Sequence, residues 1–151
     1  MQSANERTAR RDRMAVLARC DGRALEQRFA AIATMPDHRL LRGPETGLVM
    51  LRGRVGGTGE AFNIGEATAT RATVRLQDGA VGHAMALGSD AGKVRLAAVI
   101  DAMCNDASVA ALIDAAVIAP LAKMLKGSDD TRRQETAATR VDFFTLVRGE
   151  D

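Results

Sequence analysis

The sequence predicts an α+β domain: a small antiparallel sheet, a meander of three or four strands, packed with N-terminal and C-terminal helices. Three observations carry this. Apolar residues recur at helical spacing before residue 34 and again after residue 89. Between them, residues 38–87 alternate at period two and are punctuated by Gly43-Pro44, Gly56-Gly57-Thr58-Gly59 and Asp78-Gly79. The chain has 151 residues and 46% apolar content, which suits one domain with a real core.

Taken in order, residues 1–34 form the helical N-terminal part. A first helix spans 1–18, arginine-rich, with Met14, Leu17 and Ala18 as a narrow apolar stripe. Asp21 caps a second helix over about 23–33, where Leu25, Phe29 and Ile32 share a buried face. Pro36-Asp37 closes it. Residues 38–87 form the meander. A short strand over 38–42 stops at Gly43-Pro44, and a better one follows over 47–55. There Val49, Leu51 and Val55 fall on one side, and Leu48, Met50, Arg52 and Arg54 on the other. The glycine turn leads into a strand over 62–76, with an irregularity expected at Gly65. Asp78-Gly79 is a hairpin signal, and 80–87 is the partner strand. Residues 89–139 are helical. Ser89-Asp90 starts a helix whose Leu96, Val99, Ile100, Met103 and Cys104 share one face. Another runs over 107–115. Pro120 sits in the first turn of the last helix, with a break expected at Gly127-Ser128. Residues 140–151 form an extended C-terminal arm with apolar side chains on both faces.

Composition excludes several functions. There is no Trp or Tyr, and Phe occurs only at 29, 62, 143 and 144, so a base-stacking platform is absent. Net charge is +2, with nine arginines against five acids in residues 1–43. Arginine supplies 18 of the 21 basic residues. It is suited to carboxylate and phosphate contacts, but it is also what a GC-rich genome produces unselected. Two cysteines 84 positions apart and two distant histidines form neither a disulfide framework nor a metal set. No signal peptide is recognisable and no apolar run approaches membrane-spanning length, so a cytoplasmic chain with reduced thiols is expected.

The chemistry-bearing candidates are few. The turn at Gly56 and Gly57 lacks the Lys-Ser/Thr of a phosphate loop, because Glu60-Ala61 stands there; a dinucleotide turn would open a helix, but a strand follows. Its bare amides can still cradle an anion, or it is simply a hairpin turn. Arg71, Thr73 and Arg75 share one strand face opposite Ala72, Val74 and Leu76, which puts the two guanidiniums about 13 Å apart. That spacing fits an oligophosphate, two carboxylates or a partner's acidic face, or it is an ordinary solvated face. His83 alternates with Val81, Met85 and Leu87 and reads as a packing residue. Asp37-His38 has no third group to orient it. Cys104 belongs to an apolar helix face, and Cys20 has no histidine beside it. The acids of 129–135 read as a solvated helix start. No catalytic constellation emerges. In the arm, Phe143 and Phe144 between Arg140 and Arg148 form a segment that is buried either in the chain's own core or against a partner.

The strings ETGLV (45–49), RVGGTGEAF (54–62), GEATATRATVRL (65–76), IAPL (118–121) and RVDFFTLVRG (140–149) resemble the G subunit of the bacterial carbon–phosphorus lyase core complex of phosphonate catabolism. The similarity covers about residue 45 to the C-terminus. Over 82–90 the family tends toward GYxxxLGRD, whereas this chain has GHAMALGSD, with His83 for the aromatic and Ser89 for the arginine. The resemblance implies a non-catalytic subunit alongside H, I and J subunits, most directly I, and an ATPase-like L protein. Together these would support displacement of adenine from ATP by an alkylphosphonate, giving ribose 1-alkylphosphonate 5-triphosphate. It implies no cofactor on this chain; an iron–sulfur cluster and S-adenosylmethionine belong to another subunit. No catalytic residue carries over. The alternative is a stand-alone anion- or nucleic-acid-binding module using the basic N-terminal helix.

Overall fold

The computed structural model describes residues 4–139. Two helices, α1 (Ala4–Arg19) and α2 (Gly22–Ala30), lead into a sheet of β1 (His38–Arg54), β2 (Ala61–Leu76) and β3 (Val81–Leu87). Then come α3 (Ala91–Met103), α4 (Ala107–Ile113) and α5 (Ala119–Ala138). The sheet is an antiparallel meander of order β1-β2-β3, so the expected α+β class holds with three strands. The caps form as their side chains predict: the Asp21 carboxylate accepts from the Ala24 amide, and Asp90 accepts from the Lys93 amide.

Three elements differ from expectation. The two short strands before the glycine turn are one strand, β1, which continues through a cis Gly43–Pro44 bond. The ladder absorbs it with register shifts between Leu40 and Arg42 and between Arg42 and Glu45. β1 is an edge strand, so a proline there need not break a ladder hydrogen bond. No break occurs at Gly127-Ser128; α5 runs through it. The irregularity lies earlier, in a π turn over Asp114–Ile118 just before Pro120. Proline has no amide to give the preceding turn, and a wider turn accommodates that. Finally, α4, the π turn and α5 make one helical run of 32 residues, Ala107–Ala138, with a window of mean hydropathy 1.8. By length and composition that is enough to cross a membrane, contrary to the sequence reading. Here the run is seated on the domain: Ile113, Val117, Ile118 and Leu121 join Leu17, Leu25, Phe29 and Ile100 in the helical core.

The core is organised by α3. Leu96, Ala97 and Ile100 face the helices, while Val94, Ala98, Val99 and Ala102 face Ala72, Val74 and Ala86 of the sheet. The helix is therefore buried nearly all round rather than on the one face expected. Its small residues let the sheet approach closely. A Cβ at Gly82 would run into the Ala98 carbonyl oxygen and the Ala102 amide. We predict that Gly82→Ala lowers unfolding free energy by about 1–3 kcal/mol, the usual cost of overpacking. A urea midpoint equal to wild type would contradict this contact.

Candidate functional site

The helices cover one face of the sheet. β2 turns Thr70, Ala72 and Val74 inward, and all three are buried. Arg71, Thr73 and Arg75 point the other way, as the alternation predicted, and Arg71 and Arg75 are exposed. Register places Arg75 opposite Arg39, Thr73 beside Arg42 and Arg71 opposite Glu45. On the far side of β2, Arg71 pairs with Met85 and Thr73 with His83. This open face therefore carries four arginines and one carboxylate. Glu45 receives Arg42 Nε at 2.6 Å and Arg71 Nε. Hydrogen bonds from Arg42 and then Arg71 hold its pKa below the ordinary glutamate value. Among the described residues, Arg39 and Arg75 have no acidic partner.

The other sequence candidates divide. Gly56 and Gly57 take φ of +58° and +82° in a short 3-10 turn over Val55–Gly57, so glycine is required there by the backbone. The turn lies at the far tip of the β1–β2 hairpin, away from Arg71 and Arg75; the arginine beside it, Arg54, donates to the Gly59 carbonyl at 3.2 Å. His83 is not a packing residue. It stands exposed on the open face with Nδ1 3.1 Å from Thr73 Oγ1, because its strand neighbours Gly82 and Ala84, not His83, face α3. The acids of the last helix are not a helix start: Asp129 lies within α5 and holds Arg19 of α1 at 2.7 Å. Arg140, Phe143, Phe144 and Arg148 lie outside the described residues.

A polar cluster that the sequence did not disclose sits between α1 and α3. Asp101, 2% exposed, accepts Arg10 Nε at 2.9 Å and Nη2 at 2.8 Å. The same carboxylate accepts the His83 backbone amide at 2.9 Å. One turn further along α1, the buried Arg13 makes the same fork on Asp114, at 2.7 and 2.8 Å. Only the helical phase of α1 pointed to this: Arg10 and Arg13 fall three apart, and Leu17 follows on the same face. Cys104 is close by. Burial first, partly offset by Arg13, pushes its thiol up to about 11. Burial likewise raises the Cys20 thiol. Both thiols are thus held protonated at neutral pH, the opposite of what a nucleophile needs. Among the described residues no group of three or more His, Cys, Asp or Glu is placed to hold a metal ion.

Comparison with known proteins settles the family. A family model described as phosphonate metabolism protein PhnG matches residues 8–149. The chain belongs to the PhnG family. A relative from Rhizobium meliloti (strain 1021), named alpha-D-ribose 1-methylphosphonate 5-triphosphate synthase subunit PhnG, is 50% identical over 142 residues, covering 94% of this chain and 90% of its own. The match extends through the first helix, beyond the part of the chain that carried the resemblance in sequence.

The buried cluster and the solvated face should respond differently to substitution. Asp101→Ala strands Arg10 and the His83 amide, and should cost about 3 kcal/mol in urea unfolding. Glu45→Ala, on the solvated face, should leave the midpoint near wild type; the reverse order would refute the assignment. Cys104 should resist alkylation at pH 8 and react faster as pH climbs toward 11. Since the thiol is raised in the fold, stability should fall as pH rises from about 9 to 11. Rapid labelling of the native chain at pH 8 would contradict this.

Proposed function

We propose that this PhnG-family chain is a non-catalytic subunit of the enzyme complex that makes α-D-ribose 1-methylphosphonate 5-triphosphate. The observation that carries the reading is the 50% identity, over 94% of the chain, with a PhnG subunit of that synthase. In the complex the chain assembles with H-, I- and J-type subunits, most directly with I, and works with an ATPase-like L protein in the cytoplasm. It supports displacement of adenine from ATP by an alkylphosphonate. ATP is bound by the complex; the later iron–sulfur and S-adenosylmethionine chemistry belongs to another subunit.

The residues support a structural role. Three of the five arginines of α1 are spent on pairs within the chain: Arg10 on Asp101, Arg13 on Asp114 and Arg19 on Asp129. That weakens the stand-alone nucleic-acid reading, because it leaves only Arg7 and Arg11 of the α1 arginines exposed and without a partner elsewhere among the described residues to face a phosphate backbone. The two thiols are protonated, and Glu45 and Asp101, the carboxylates nearest the exposed arginines and histidine, are held in ion pairs. A nucleophile or general base needs a free, tuned group within reach of a substrate.

The expected result is that the purified chain releases no adenine from ATP and methylphosphonate, while the co-expressed subunit set does so only when this chain is present. Adenine release by the chain alone, or full activity of the set without it, would refute the reading.

A further inference from the structure

β3 ends early. Its last paired residue, Leu87, lies opposite Ala69, while β1 and β2 continue to Arg54 and Ala61. From Leu48 outward the sheet is therefore a two-stranded ribbon projecting beyond the domain. A bare ribbon of this kind is marginal in water. Its side chains are not those of a solvated loop. Leu48 (66% exposed) and Met50 (54%) stand on one face, and Leu51 and Phe62 on the other. Ile64 (62%) lies against Gly53 on the Leu51 side, since a Cβ at Gly53 would meet its side chain. On that second face the apolar surface continues down the sheet to Leu87 and Met85, both exposed, and then meets the arginines.

We propose that this open face, apolar along the ribbon and cationic at its base, is the docking surface for another protein subunit of the complex, one presenting an apolar cleft bordered by carboxylates. The proposal rests on the subunit reading above. Two features argue for the occupant. The first is charge. Arg39 and Arg75 stand directly opposite each other on adjacent strands, an arrangement that repels unless a third party supplies negative charge. Glu45 is already shared by Arg42 and Arg71. A second copy laid face to face would bring more arginine and no free carboxylate from this face, so the partner is a different chain. The second is size. β1 has 17 residues. At about 3.4 Å per residue and about 5 Å per strand, the face measures on the order of 600–800 Å², close to the roughly 800 Å² per partner of a stable interface.

The test uses the chain co-expressed with the H-, I- and J-type subunits. Three double variants are compared with wild type by size-exclusion chromatography and by affinity for the purified I-type partner. Leu51→Thr with Ile64→Thr keeps strand propensity and removes apolar surface. Arg39→Glu with Arg75→Glu reverses the charge. Leu112→Ser with Met124→Ser removes exposed apolar groups on the helical side. Circular dichroism and the melting temperature of each isolated chain show that it is folded. The two open-face variants should bind at least tenfold more weakly, and the salt dependence of binding should flatten in the charge variant; the helical-side variant should bind as wild type. Wild-type binding by both folded open-face variants would overturn the docking surface and leave the subunit reading standing. So would greater damage from the helical-side variant. A wild-type dimer dissolved by the open-face substitutions would overturn the choice of a different chain as occupant. If the wild-type chain joins none of these subunits, the subunit reading itself fails, and the docking surface with it.

Discussion

A single buried carboxylate ties the halves of this domain together. Asp101 sits on α3 with almost no exposure, where a lone charge would be prohibitive. Arg10 of α1 neutralises it with two hydrogen bonds, and the backbone amide of His83 on β3 supplies a third. The pairing thus fixes α1 against α3 and holds the outer edge of β3 at the same point. A buried ion pair is not by itself a source of stability, because desolvation offsets much of the attraction. What it supplies here is geometry. The apolar contacts around it, Leu96 and Ile100 toward the helices and Val99 and Ala102 toward the sheet, bury the area that stabilises the fold.

That arrangement leaves the sheet lopsided. All the helical mass gathers on one face, so the other carries Arg39, Arg42, Arg71 and Arg75 in the open. β1 and β2, at 17 and 16 residues, also outrun the seven-residue β3. The outcome is a ribbon whose leucine, methionine, isoleucine and phenylalanine side chains find no core of their own. Scattered exposed apolar residues are unremarkable, but a contiguous stripe rimmed by charge marks a surface made for contact. The chain belongs to the PhnG family, and a relative 50% identical to it is named as a subunit of a synthase, which is the setting in which such a surface is proposed to act.

Much of this was legible from sequence. Period-two alternation in Ala72–Leu76 identified the face that bears Arg71 and Arg75, since alternation is a local property. Asp21, Asp90 and the Asp78-Gly79 turn announced element boundaries through their own side-chain chemistry. Other features depend on tertiary context. Gly43-Pro44 reads as a stop unless the strand is known to lie at an edge. Gly127 reads as a break, yet α5 tolerates it at modest cost. His83 seemed a packing residue because strand parity alone does not reveal which face the helices cover. The Arg10–Asp101 and Arg13–Asp114 pairs span 91 and 101 residues, and no local pattern signals them.

If the proposed docking is right, the uncovered sheet face and its ribbon become buried when the chain joins its complex. Amide hydrogen exchange measures this directly, because a marginal ribbon opens readily in the isolated chain and cannot do so when gripped on its faces. Between the chain alone and the assembled complex, new protection should concentrate in the amides of residues 47–68 and in those flanking Arg39 and Arg75. Protection confined to α5, or exchange in the ribbon unchanged by assembly, would contradict it.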